Sequence, residues 1–165
     1  MDCLDLRHSP GHAVPWPTRF PLPLGDTMTT VARDLHDKMF EAIERRDLDE
    51  LRALYHAEYS YTGSDGEEQK GPELGVAVSK MFLDALPDAR LDVRTRYACG
   101  DNVSIIEFVG RGTHRGELMG VPATGRSLAV WACDIIEVRD GRIYREREYM
   151  DTMSILQQLG VKSTD

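Results

Sequence analysis

One segment constrains this chain more than any other: Ser127-Leu128-Ala129-Val130-Trp131-Ala132-Cys133-Asp134-Ile135-Ile136-Glu137-Val138. Its length and its β-branched and aromatic content predict a strand. Successive strand side chains alternate between faces. Leu128, Val130, Ala132, Ile136 and Val138 therefore share one face, and Ala129, Trp131, Cys133 and Ile135 the other. A strand that is apolar on both sides belongs in the middle of a sheet, covered on each face. Asp134 is the exception on the first face. A carboxylate among such neighbours loses hydration, and its pKa rises unless a cation or several donors compensate.

What Asp134 meets depends on the turn at Asp140-Gly141, which leads into a strand from Arg142 to Met150. A two-residue type I′ loop sets Asp134 opposite Arg147, as a structural ion pair. A three-residue loop, Arg139-Asp140-Gly141 with Gly141 in a G1 bulge, moves the register by one. Asp134 then shares a face with Tyr144, Glu146, Glu148 and Met150. The sequence permits both. Glu148, whose face-mates are amphipathic or apolar, is the second candidate acid. His114, in Gly112-Thr113-His114-Arg115-Gly116 at a strand end, could hydrogen-bond a substrate carbonyl, or be a surface histidine.

The remaining elements follow from periodicity. Leu35, Met39, Ala42 and Ile43 recur at helical spacing, and Asp47 opens a second helix with capping-box spacing to Glu50. A short strand runs near Glu58 to Thr62, and Gly63, Asp65 and Gly66 mark a loop. Pro72 suits the first turn of a helix that buries Leu74, Val78, Met81 and Ala85. Strands are expected around Leu91 to Tyr97 and from Val103 to Thr113, with a sheet bend at Gly110-Arg111-Gly112. Asp151 caps a last helix, which Gly160 stops after Leu159. Helices followed by an antiparallel meander give the α+β class.

A length of 165 residues suits one domain. Residues 1–27 hold five of the eight prolines, a density that blocks helices and ladders, so they are expected to be a disordered leader before a domain spanning 28–165. Met28 is a candidate true start. The net charge of −8 argues against nucleic acid and against an anionic membrane surface. It fits a soluble, cytoplasmic protein that meets a neutral or weakly polar small molecule. Cys3, Cys99 and Cys133 form neither a disulfide framework nor a zinc site, and read as small buried hydrophobes in a reducing compartment. The histidines and acids show no metal-ligand spacing, so no metal is expected.

The run Gly112 to Pro122 followed by Thr124-Gly125-Arg126, then Asp140-Gly141-Arg142-Ile143, Glu148-Tyr149, Asp151 and Leu156 to Gly160, resembles SnoaL-like polyketide cyclases of the NTF2-like superfamily. The resemblance extends from about Val31 to the C-terminus. It implies a cone-shaped α+β barrel: a curved antiparallel sheet wrapped around N-terminal helices. It also implies a homodimer or higher oligomer joined through the outer sheet face. The implied chemistry is an intramolecular aldol closure by an acidic residue, without metal or organic cofactor. Glu148 stands where those enzymes carry that acid as Asp, and Asp134 where they carry His. The implied catalytic set is Glu148, Asp134 and His114, with Trp131, Arg115, Glu117, Tyr144 and Tyr61 binding substrate. Ketosteroid isomerases share the fold, but Gly63 and Met39 stand where they need Asp and Tyr, which argues against isomerase activity. Limonene-epoxide hydrolases are also similar, and Arg115, Glu117 and Glu148 would form their water-activating set. A non-catalytic binding module of the same fold is the other alternative.

Overall fold

A computed structural model describes residues 30–161. The expected leader, Met28 and Cys3 lie outside them. Helix α1 (Val31–Arg45) starts where Thr30 accepts a hydrogen bond from the Arg33 amide at 3.2 Å. Helix α2 (Leu48–Leu54) is capped by Asp47, whose Oδ1 accepts from the Glu50 amide at 2.9 Å. Glu50 does not close the box, because its carboxylate pairs with Arg45 instead. Strands β1 (Tyr55–Thr62) and β2 (Glu68–Lys70) form a hairpin, and α3 (Pro72–Ala85) follows. Strands β3 (Arg90–Cys99), β4 (Val103–Thr113), β5 (Ser127–Arg139) and β6 (Arg142–Met150) complete the sheet before α4 (Thr152–Leu159).

The six strands lie in the order β2-β1-β6-β5-β4-β3. The chain is thus the expected α+β fold with helices inside a curved sheet. One pairing departs from a pure antiparallel meander: β1 runs parallel to β6.

The β5–β6 turn combines features of both loops weighed above. Arg139 pairs with Arg142, so the loop is the two-residue one, with Asp140 and Gly141 both left-handed at φ 51° and 69°. Yet Asp134 faces Glu148, not Arg147. The pairing moves from Val138–Ile143 to Glu137–Arg145, so Tyr144 is an extra residue bulged out of β6. A bulge changes which face the following residues occupy. Ile143, Glu146, Glu148 and Met150 therefore point inward, and Tyr144 outward.

The main core joins Met39, Phe40 and Leu51 from the helices to Tyr55, Tyr59, Ile106, Ile136 and Ile143 from the sheet. A second cluster joins Leu86 and Leu118 to Leu128, Ile155 and Leu159. Several finer expectations change. Met81 is exposed, and α3 buries Gly75 and Leu83 along with the expected Ala85. Cys99 is exposed at the end of β3, and Cys133 is half-buried on the outer sheet face. Strand β4 continues through Gly110 and Gly112, pairing with β5 as far as Thr113. The tightest approach to backbone is at Gly116, where a Cβ would stand 2.6 Å from the Asp84 carbonyl oxygen and 3.1 Å from the Ala85 Cα. Backbone cannot retreat as a flexible side chain can. Gly116→Ala is expected to cost about 1–3 kcal/mol, as overpacking does, measured as a lower urea midpoint at unchanged m-value.

Candidate active site

The site forms where α1 crosses the inner faces of β4, β5 and β6. His36 lies three residues before Met39 and four before Phe40, so the helical period places all three on one buried face. Its Nε2 is 3.1 Å from Asp134 Oδ2, and its Nδ1 is 3.0 Å from Ser104 Oγ. Ser104, Ile106 and Phe108 are alternate residues of β4 that turn inward, and Ile106 pairs with Asp134. The alternation of β5 points Val130, Ala132, Asp134 and Ile136 to the same side. Strand β6 adds Glu146 and Glu148, and β1 answers with tyrosines. The Tyr59 hydroxyl donates to Glu146 Oε2 at 2.6 Å, and the Tyr61 hydroxyl to Glu148 Oε2 at 3.1 Å.

Asp134, Glu146 and Glu148 line one cavity, walled by Met39, Phe40, Phe82 and Phe108 and with Arg90 and Arg111 also on its lining. Asp134 is only 2% exposed. Burial pushes its pKa up to about 7. Glu148 also rises to about 7, through burial first and then the neighbouring Asp134 charge. Glu146 is held well above the usual carboxylate range by burial, with Asp134 adding to it. His36 moves the other way, to about 3, because burial disfavours the imidazolium. Carboxyls that hold protons near neutrality can act as acids and bases there. No group of three or more His, Cys, Asp or Glu among the described residues is arranged to hold a metal ion.

The structure brings together Asp134, Glu148 and Tyr61 from the expected set and separates the others. Trp131 is an odd-numbered residue of β5, so it lies on the outer face, 63% exposed, with Arg94 over its ring. Tyr144 is turned outward by the bulge and packs against Arg139 and His56. His114 is buried away from the cavity, where its Nδ1 accepts from the Thr124 amide at 3.2 Å. Arg115 and Glu117 are exposed on the loop after β4 and do not line the cavity, so the Arg115–Glu117–Glu148 set is not assembled. His36, Ser104 and Tyr59 are the members the sequence reading missed, while Glu146 falls on the face of Asp134 that one of the two registers gave it. His36 had a legible signal, as a polar residue on the apolar stripe of α1.

The model of SnoaL-like polyketide cyclases matches residues 33–159, which include every group of this site. The chain belongs to that family. It is 30% identical over 130 residues to the aklanonic acid methyl ester cyclase DnrD of Streptomyces peucetius, covering 77% of this chain and 89% of DnrD. The cyclase AcmA of Streptomyces galilaeus is 30% identical over 128 residues, covering 74% of this chain and 86% of AcmA. Among solved structures, IdmH of Streptomyces antibioticus superposes with a TM-score of 0.66 at 29% identity, covering 78% of this chain and 97% of IdmH. A SnoaL-like structure from Jannaschia sp. CCS1 reaches a TM-score of 0.74 at 14% identity, over 84% of this chain and 99% of that one, a likeness of fold alone.

Proposed function

We propose that this SnoaL-like chain is a cofactor-independent cyclase that closes a ring by intramolecular aldol addition within a hydrophobic, carbonyl-rich molecule. The observation that carries the reading is the pair Asp134 and Glu148, opposed on β5 and β6, lining one apolar cavity and both raised to about 7. Glu148 as carboxylate takes a proton from a carbon flanked by carbonyls. The resulting enolate attacks a second carbonyl carbon, forming one C–C bond while the C=O π pair moves to oxygen. Asp134 gives that oxygen a proton. Product is an isomer of substrate, and proton exchange with water restores both acids. The low-dielectric wall strengthens each of these contacts.

The test substrate is the one named for DnrD and AcmA, aklanonic acid methyl ester. A cyclised product of unchanged mass is expected. Recovery of unaltered compound, with no solvent deuterium gained at its acidic carbon, would point to the binding-module alternative.

The homodimer belongs to the same reading. Trp131 is 63% exposed and Tyr149 49% exposed on the outer sheet face, beside half-buried Cys133 and Ile135. Such a contiguous apolar patch favours a cover. Trp131→Glu is expected to shift sedimentation from dimer to monomer; a wild-type monomer at micromolar concentration would refute the interface. A cytoplasmic setting is also proposed, supported by the net charge of −8. No described helix is long and apolar enough to cross a membrane.

A further inference from the structure

Ser104 decides how the buried chain Ser104–His36–Asp134 is wired. Ser104 is 0% exposed, and its Oγ makes a single hydrogen bond among the described residues, to His36 Nδ1 at 3.0 Å. A hydroxyl has one proton, and a buried donor left unused costs free energy. That proton therefore goes to Nδ1. A neutral imidazole that accepts at one nitrogen carries its hydrogen on the other. Nε2–H then donates to Asp134 Oδ2 at 3.1 Å, so Oδ2 is an acceptor. The opposite wiring, with Oδ2–H donating to Nε2 and Nδ1–H donating to Ser104, would strand the Ser104 proton off the cavity lining, where no substrate reaches it, whereas the first wiring leaves unmet only the acid proton of Asp134, which lines the cavity. The oxygen left for the acid proton is Oδ1, which is buried without any hydrogen-bond partner among the described residues.

We propose that His36 is a positioning residue which, with Ser104, fixes the Asp134 proton on Oδ1 and so makes Asp134 the donor and Glu148 the only base. This rests on the acid–base reading above and gives its two acids separate roles. His36 suits the task because it stays neutral. Burial holds its imidazolium off, with Phe40 edge-on to the ring at 5.2 Å. Asp37 and Arg96 act on it in opposite directions. The groups facing Asp134 from β6 are Glu146 and Glu148, both acids; Arg90 of β3 and Arg111 of β4 share the cavity lining, and burial, not either guanidinium, sets the Asp134 shift. When Asp134 does give up the proton, Nε2–H remains bonded to the new carboxylate.

The first test needs no substrate. In full-length protein labelled with ¹⁵N-histidine, the His36 ring is assigned by its absence in His36→Gln. The Nε2–H neutral tautomer is expected from pH 5 to pH 8. An imidazolium or an Nδ1–H tautomer would overturn the proposal, whatever the protein turns over. The second test is kinetic, on the aldol closure. His36→Leu removes the donor, whereas His36→Gln keeps an N–H near the Nε2 position. His36→Leu should lower kcat at least about tenfold with KM within about twofold, and raise the alkaline limb of the kcat profile by about one pH unit. His36→Gln should keep that limb in place. Equal losses in both variants with an unmoved limb would reduce His36 to packing. Absence of turnover in the wild type would count against the cyclase reading alone, because the tautomer measurement still stands.

Discussion

Glu148→Gln is expected to lower kcat for aldol closure by about 10²–10⁴-fold, the usual worth of a positioned general base. The substitution keeps the side chain's length and can still accept the Tyr61 hydroxyl, which lies 3.1 Å from Glu148 Oε2. What it loses is the lone pair that takes the carbon-bound proton. KM should change little, since an amide fills the same place in the cavity wall. The pH profile supplies an internal check. Burial, with Asp134 adding to it, puts the wild-type Glu148 pKa at about 7, so kcat should rise through that region as the base ionises. That acidic limb should vanish in whatever residual activity Glu148→Gln retains. A variant with more than a tenth of wild-type kcat would remove Glu148 from the chemistry.

The second large effect is on stability. Asp134 has a folded pKa of about 7 against an ordinary value of 3.8. The native state therefore holds the proton that the unfolded chain releases. Between those two values the native protein binds more protons than the unfolded one, so stability falls as pH rises, and is flat above about 7. The loss reaches about 4 kcal/mol in full, of which about 2–3 kcal/mol falls between pH 5 and pH 8. Asp134→Asn removes this slope and still accepts from His36. Urea denaturation of both proteins at pH 5 and pH 8 should show the variant gaining about 2–3 kcal/mol on the wild type over that interval. Glu148 is half-buried, so its own contribution has the same sign but is smaller. Equal pH slopes in the two proteins would mean that Asp134 is ionised and paired in the native state.

These two effects pull against each other, in the manner of a site whose function is held at the expense of stability. Three acids in one cavity are costly when charged, and the fold tolerates them by giving each a side-chain donor: His36 for Asp134, Tyr59 for Glu146, Tyr61 for Glu148. These donors orient the carboxyls, and burial outweighs them, so the pKa values stay raised.

Much of the fold was legible because local periodicity carries it. The stripe of Leu35, Met39 and Ala42 gave α1, the alternation of Leu91 to Tyr97 gave β3, and Asp47, Asp151 and Gly160 marked helix ends that the structure confirms. The short strand β2 was missed, since Glu68-Gln69-Lys70 is exposed and has no apolar face to betray it. Asp134 was conspicuous as the one charge on a buried face, and Glu148 through its neighbours. His114, Arg115, Glu117, Trp131 and Tyr144 show the limit. Tyr144 was turned away by the bulge, Trp131 lies on the face that alternation already set opposite Asp134, and motif membership did not place His114, Arg115 or Glu117 beside the cavity.

The sequence by itself determined the α+β class, the central place of β5, and the presence of an acid where hydration is lost, because alternation and burial are properties of consecutive residues. Tertiary structure alone decided what that acid meets. The Tyr144 bulge shifted β6 by one residue against a two-residue turn, exchanging Arg147 for Glu148 opposite Asp134. The crossing of α1 brought His36 from 98 residues away to its other side. Both are contacts between segments whose local sequences carry no record of each other, and they separate a structural ion pair from a pair of acids poised near neutral pH.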